Sequence, residues 1–136
     1  NHDRQVTEVC CQFLAERRTD DRPFFLLAGY LAPHFPLIVP ERYYQRYRGH
    51  VPMPHIPDGF LETLPSNYQH LRRGFGVVDT DPEQVRQGRE LYWGLVDWLD
   101  DEVGKLLGAL GHSEVAENTI VIYTSDHGEN KGDHGL

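Results

Sequence analysis

The chain has 136 residues, a formal net charge of −8, and apolar and charged fractions of 39% and 25%, ordinary for a globular protein. That length supports one buried core. The acidic balance argues against a general nucleic-acid binder, and no apolar run approaches the roughly 20 residues that span a bilayer. No secretory signal pattern opens the chain. Its first residue is Asn1 rather than Met, which is consistent with a processed or truncated start.

Asp3 to Arg18 reads as an amphipathic helix. Val6, Val9, Cys10, Phe13 and Leu14 recur at three- and four-residue spacing, and Asp3 is placed to cap the start. The adjacent Cys10 and Cys11 bridge only with strain and make no metal spacing by themselves, so they read as helix residues with Cys10 on the buried face. This usage leans mildly toward a reducing, cytoplasmic compartment. Localisation is otherwise open.

Phe24 to Leu31 is almost wholly apolar and, behind a helix, reads as a central strand covered on both faces. Polarity returns at its end in Ala32-Pro33-His34-Phe35-Pro36, where two prolines stop the strand and stiffen the turn around His34. His34 is either a surface residue or a site residue at a strand's carboxyl end.

Leu37 to Gly76 shows no sustained periodicity. Pro40 to Tyr47 suits a short helix with Pro40 at its first position. Alternate prolines forbid regular structure over Val51 to Pro57. So long an irregular connection either lines a pocket or packs against further chain. Tyr30, Tyr43, Tyr44, Tyr47 and Tyr68 line a pocket or serve as ordinary aromatic packing. The basic clusters Arg42, Arg46, Arg48 and Arg72, Arg73 read as solvated surface.

Asp81-Pro82-Glu83-Gln84 is a strong helix start, with Asp81 as cap and Pro82 in the first position. Val85, Tyr92, Leu95, Val96, Leu99, Val103, Leu106, Leu107 and Leu110 then form an apolar stripe that runs to Gly111. Asp97, Asp100 and Asp101 read as a solvated face, with Asp101 and Lys105 as a favourable pair.

Thr119 to Thr124 is a β-branched, apolar run that reads as a buried strand, and it turns abruptly polar at Ser125-Asp126-His127-Gly128. Open α/β sheets place ligands at the carboxyl ends of their strands. Asp126 and His127 offer an oxygen and a nitrogen donor for a divalent metal. Two ligands do not hold a metal alone; Glu129, Asp133 and His134 are further donors nearby, in a segment that Gly128, Gly132 and Gly135 make a loop. On composition, a metal site and an ordinary polar loop both stand open.

The order helix, strand, excursion, helix, strand implies an α/β fold, part of a mostly parallel sheet flanked by helices. Two strands do not make a stable sheet, so more must come from elsewhere. Residues 1–136 are expected to form a single, partial domain.

Tyr123-Thr124-Ser125-Asp126-His127-Gly128-Glu129, followed by Gly132-Asp133-His134-Gly135-Leu136, resembles the C-terminal metal-binding motif of the sulfatases, in the alkaline-phosphatase-like superfamily. Pro23-Phe24-Phe25-Leu26 with Ala32-Pro33-His34-Phe35-Pro36 resembles that family's central strand and histidine loop. Tyr92 through Leu110 resembles the helix before the metal strand. The three elements occur in the family's order.

The resemblance implies an alkaline-phosphatase-like α/β fold and hydrolysis of a sulfate ester, of a small molecule or a sugar. It implies Asp126 and His127 as two contacts of a divalent cation, usually calcium, with His127 where many members carry Asn. It implies His34 as the residue that faces the sulfate and protonates the leaving oxygen. The family nucleophile is a formylglycine made within a Cys/Ser-x-Pro/Ala-x-Arg motif. This sequence departs from the family there: Cys10 and Cys11 are followed by Gln12-Phe13-Leu14-Ala15. The N-terminal acidic metal ligands and the lysine after Gly-Asp-His-Gly-Leu are absent too. The chain therefore reads as an internal fragment of a sulfatase-like catalytic domain that does not turn over substrate alone. The alternatives are a phosphonate monoester or phosphodiester hydrolase of the same superfamily, a non-catalytic metal-binding sulfatase-like domain, and a plain structural α/β piece. Oligomeric state is open.

Overall fold

A computed structural model describes residues 2–136. Its long axis is a 30-residue helix, Pro82–Gly111, against which two shorter helices pack. In chain order the helices are α1 (His2–Ala15), α2 (Glu41–Tyr47), α3 (Ser66–Gly74) and α4 (Pro82–Gly111). Short 3₁₀ turns fall at Leu61–Thr63, Val77–Asp79, Ala116–Asn118 and Asp133–Gly135.

Asp81 caps α4 as the sequence predicts: its carboxylate accepts the Glu83 amide at 2.9 Å, and Pro82 follows in the first turn. Leu95, Trp98 and Leu99 are buried on the inner face. Trp98 and the wholly enclosed Tyr43 of α2 form the centre of the core, with Ala32, Leu37 and Val39 against them. Gly94 permits this approach. A Cβ there would lie 3.1 Å from the Tyr43 carbonyl carbon and 3.2 Å from the Tyr44 nitrogen. Val96 and Leu107, expected in the stripe, lie on the exposed side.

Charged residues take part of the same inner face. Arg89, Glu90 and Glu102 are all buried. Glu90 receives the Gly49 amide at 2.8 Å, the Tyr44 hydroxyl at 3.3 Å and the Arg86 guanidinium. The predicted Asp101–Lys105 pair does not form. The Lys105 ammonium turns to the buried carboxylate of Glu102, and Asp101 accepts the Tyr43 hydroxyl at 2.6 Å. Asp97 takes Arg46 at 2.7 Å, which joins α2 to α4. Of the acidic face, only Asp100 remains as a solvated carboxylate without such a contact.

The first helix is shorter than predicted. It ends at Ala15 because the Asp21 carboxylate accepts the Arg18 amide at 2.9 Å and draws the chain into a turn. Its buried side is Asp3, Thr7, Cys10 and Leu14, while Val9 faces solvent. Both cysteines are free, and burial pushes the Cys10 thiol up.

The expected sheet is not formed among the described residues. Phe24–Leu31 and Thr119–Thr124 carry no ladder hydrogen bonds. An extended segment satisfies its backbone only through neighbours, and neither segment has one here. Burial along the first segment still alternates. Phe24, Leu26, Ala28 and Tyr30 are half-buried, while Phe25 is 89% exposed and Leu27 79%. The inward set packs on α1: Phe24 meets Phe13 edge-on at 5.3 Å, and the Tyr30 hydroxyl meets that of Thr7 at 3.2 Å. The second segment is open on both sides, with Ile120 90% and Ile122 81% exposed. The two-sided burial expected of the first segment and the burial expected of the second are therefore corrected.

The excursion is more regular than its sequence suggests. Pro40 sits one residue before α2, and α3 was unforeseen because it has no buried residue and so no apolar stripe. Four of the five tyrosines resolve as packing, with Tyr43 in the core, Tyr44 on Glu90, Tyr30 on Thr7 and Tyr47 edge-on to Trp93 at 5.9 Å, while Tyr68 is exposed.

Candidate active site and metal pair

His34 lies in a turn built from both of its ends. The Asp3 carboxylate accepts the Leu31 and Ala32 amides, each at 2.9 Å, and the His34 amide donates to the Leu31 carbonyl at 2.9 Å. Pro33 and Pro36 are both preceded by cis peptide bonds. The imidazole is exposed, stacks on Phe35 at 4.3 Å, and places Nδ1 2.6 Å from the Phe35 carbonyl oxygen. A carbonyl only accepts, so Nδ1 carries the proton and Nε2 is left as the outward-facing nitrogen.

Asp126 and His127 follow the open apolar segment and are both exposed. Asp126 Oδ1 accepts the His127 amide at 2.9 Å. His127 Nδ1 donates to the Gly128 carbonyl at 2.8 Å, which fixes the tautomer and frees Nε2. That Nε2 lies 3.7 Å from Asp126 Oδ2. The hydrogen bond from its own neighbour's amide and the His127 ring hold the Asp126 carboxyl below the usual range. The Gly128 carbonyl and then Asp126 push the His127 imidazole up.

The two donors fit part of a cation site. A divalent cation bound here would be held by the Asp126 carboxylate oxygen and the His127 imidazole nitrogen. No third His, Cys, Asp or Glu joins them into a metal-binding group among the described residues. Nor does any hydrogen bond, ion pair or ring contact there link His34 to Asp126 or His127.

Glu129, Asp133 and His134, the other candidate donors, are occupied elsewhere. Glu129 pairs with Lys131 at 3.7 Å, and the Lys131 ammonium sits 5.4 Å from the centre of the Tyr92 ring. Asp133 meets Arg89 at 3.2 Å. His134 faces Phe60 at 6.2 Å. Sequence reasoning missed Arg89 and Arg72, which hold this loop. Arg89 donates to the Pro52 carbonyl at 2.9 Å and the Lys131 carbonyl at 3.0 Å, and Arg72 donates to the Gly135 carbonyl at 2.7 Å. The only sequence signal was an arginine inside the otherwise apolar face of a helix.

Comparison with known proteins bears on the same stretches. A family model described as Sulfatase matches residues 1–136. The human (Homo sapiens) iduronate 2-sulfatase is 33% identical over 98% of this chain and 26% of its own length. A multifunctional alkaline phosphatase superfamily protein, PehA, of Trinickia caryophylli is 34% identical over 96% of this chain and 28% of its own length. An arylsulfatase of Clostridium perfringens is 29% identical over 87% of this chain and 24% of its own length. The chain thus spans about a quarter of the length of these relatives.

Proposed function

The chain belongs to the sulfatase family, and from that premise we propose that it forms part of a sulfuric ester hydrolase. In this reading Asp126 and His127 supply two contacts to a divalent cation, calcium by family resemblance. His34 serves the leaving group. The observation that carries the reading is the donor pair, 3.7 Å apart, with the His127 ring turned by Gly128 so that Nε2 is free.

The chemistry then divides by residue. The cation, when bound, supplies positive charge against the ester oxygens as they gain charge in the transition state. By family resemblance the nucleophile would be a formylglycine, which none of these residues supplies. Asp126 presents a carboxylate oxygen, and its depressed pKa keeps that oxygen ionised and available. His127 presents Nε2. His34 presents Nε2 outward from a turn fixed by Asp3, and it serves as the general acid in the form that carries a proton on that nitrogen. The substrate class is a sulfate ester of a small molecule or sugar, as the names of the relatives suggest. No helix among the described residues is long and apolar enough to cross a membrane.

The test is made on the full-length protein. Asp126→Ala should remove bound calcium and aryl sulfate turnover together, and unchanged metal content would reject the ligand assignment. His34→Ala should lower kcat while metal content and thermal stability stay near wild type. One relative is named as a multifunctional member of the alkaline phosphatase superfamily, and the second reading is a phosphonate monoester or phosphodiester hydrolase of that superfamily. Sulfate and phosphate esters share tetrahedral anionic geometry, so turnover of a matched pair of esters separates the two. A full-length protein that binds calcium but turns over neither ester would instead be a binding domain.

A further inference from the structure

We propose that Arg89 is the positioning residue of the candidate metal pair, holding Asp126 and His127 in place through the loop that follows them. This rests on the metal-site reading above. The donor pair has little anchorage of its own. The Ser125 hydroxyl donates to the His127 carbonyl at 2.8 Å, and the other hydrogen bonds of Asp126 and His127 stay within residues 125–128. The preceding segment is exposed and unpaired. Fixed structure begins again at Glu129–Lys131 and is complete by Asp133.

One side chain gathers that structure. Arg89 is 7% exposed on α4, and its guanidinium makes three contacts, one with the proline-rich excursion and two with the closing loop. Nε donates to the Pro52 carbonyl at 2.9 Å, and Nη1 donates to the Lys131 carbonyl at 3.0 Å and meets the Asp133 carboxylate at 3.2 Å. A guanidinium does this because its donors are fixed in a planar fork, which an ammonium lacks. The loop is pressed close against the same helix. A Cβ on Gly132 would lie 2.8 Å from Val85 Cγ1 and 3.1 Å from Pro54 Cγ. Internal bonds close it, with the Gly132 amide on the Leu136 carbonyl at 2.7 Å and the Asp133 amide on the Asn130 carbonyl at 3.0 Å. Arg89 thus welds the proline-rich excursion, α4 and the closing loop at a point four residues beyond His127. Groups hydrogen-bonded directly to metal ligands are worth roughly 10–100-fold in metal affinity, and Arg89, which acts through the loop, falls at the lower end.

The experiment is a calcium titration of the full-length protein by calorimetry, with kinetics at limiting and saturating calcium. Arg89→Lys keeps the charge and loses the fork; it should weaken calcium binding about tenfold and recover near wild-type kcat when calcium is saturating. Asp133→Asn, at a half-exposed carboxylate, should weaken binding in the same direction by about twofold. It keeps the proposal testable if Arg89→Lys fails to fold. Wild-type calcium affinity in folded Arg89→Lys, or in Asp133→Asn where the other variant does not fold, would overturn the proposal. So would a loss of activity that saturating calcium does not restore. Asp126→Ala separates the two levels: if it leaves calcium bound, the metal reading fails. If it releases calcium while the Arg89 and Asp133 variants bind normally, only the positioning role fails.

Discussion

Asp3 and Ala32 are joined by a hydrogen bond of 2.9 Å from the Ala32 amide to Asp3 Oδ2, and the other carboxylate oxygen takes the Leu31 amide at the same distance. A buried side chain on the first helix thereby fixes the entrance to the His34 turn. Asp3→Ala would strand two amides that are now satisfied, at a cost of about 2–3 kcal/mol. Asp3→Asn retains one acceptor and should cost about half as much. Chemical denaturation of the full-length protein measures both. If the turn serves His34, kcat should fall further in Asp3→Ala than in Asp3→Asn, with metal content unchanged.

Gly132 of the closing loop and Gly104 of α4 should respond in opposite senses. Gly132 has φ +96° and no room for a Cβ, and Gly135 has φ +74° with Leu61 Cδ2 2.5 Å from the Cβ position. Gly132→Ala should cost about 1–3 kcal/mol through backbone strain and contact with Val85. Gly104 lies in mid-helix with nothing within 4 Å, so Gly104→Ala should gain up to about 1 kcal/mol of helix propensity. Thermal unfolding of the pair checks the contrast. A stabilising Gly132→Ala would mean that the loop does not sit against Val85.

Acid should weaken the fold through Glu90 and Glu102. Burial pushes both carboxyls up, but for Glu90 the Gly49 amide, Arg86 and Tyr44 outweigh it, and for Glu102 the Lys105 ammonium does. Both therefore titrate below the ordinary glutamate value in the folded state. A depressed folded pKa gives stability that is present above the unfolded value and lost as pH falls through the folded one. Stability should thus decline below about pH 4.3, the ordinary glutamate value. Glu90→Gln should be less stable at pH 7 by about 2 kcal/mol and show a shallower acid decline. Denaturant midpoints across pH 3–7 (a range chosen to bracket ordinary carboxylates) test this, and an unchanged slope would remove Glu90 from the account.

Much of the helical frame was legible because its signals are local. Asp81-Pro82 marks the start of α4 without reference to any other element, and Leu95 and Leu99 fall at helical spacing. The candidate donors stand out for the same reason, since Ser125-Asp126-His127-Gly128 is a sharp change of polarity after an apolar run. Arg89, Glu90 and Glu102 were not, because a charged residue on a helix reads as solvated until its partners are known. Those of Arg89 lie 37 and 42 positions away. Pairing of the two apolar segments is non-local in the same way. Composition identifies residues suited to a strand, and only neighbouring chain supplies the ladder.

Those apolar segments yield a final prediction. Phe25, Leu27, Ile120 and Ile122 are each at least 79% exposed. Runs of exposed, large apolar side chains favour association, and unpaired extended segments template it. Residues 1–136 expressed by themselves should bind a hydrophobic dye strongly and associate at micromolar concentration. Phe25→Lys combined with Ile122→Lys should reduce both effects, because each charge sits on a surface the segment leaves open. The same double substitution in the full-length protein should have the opposite consequence. If further strands of the α/β fold cover these side chains, two buried, unpaired ammonium groups would prevent folding. Dye binding and sedimentation of the short chain, set against soluble yield of the long one, measure the contrast. A full-length double variant that folds and stays soluble would show that these faces are solvent-exposed in the parent protein too.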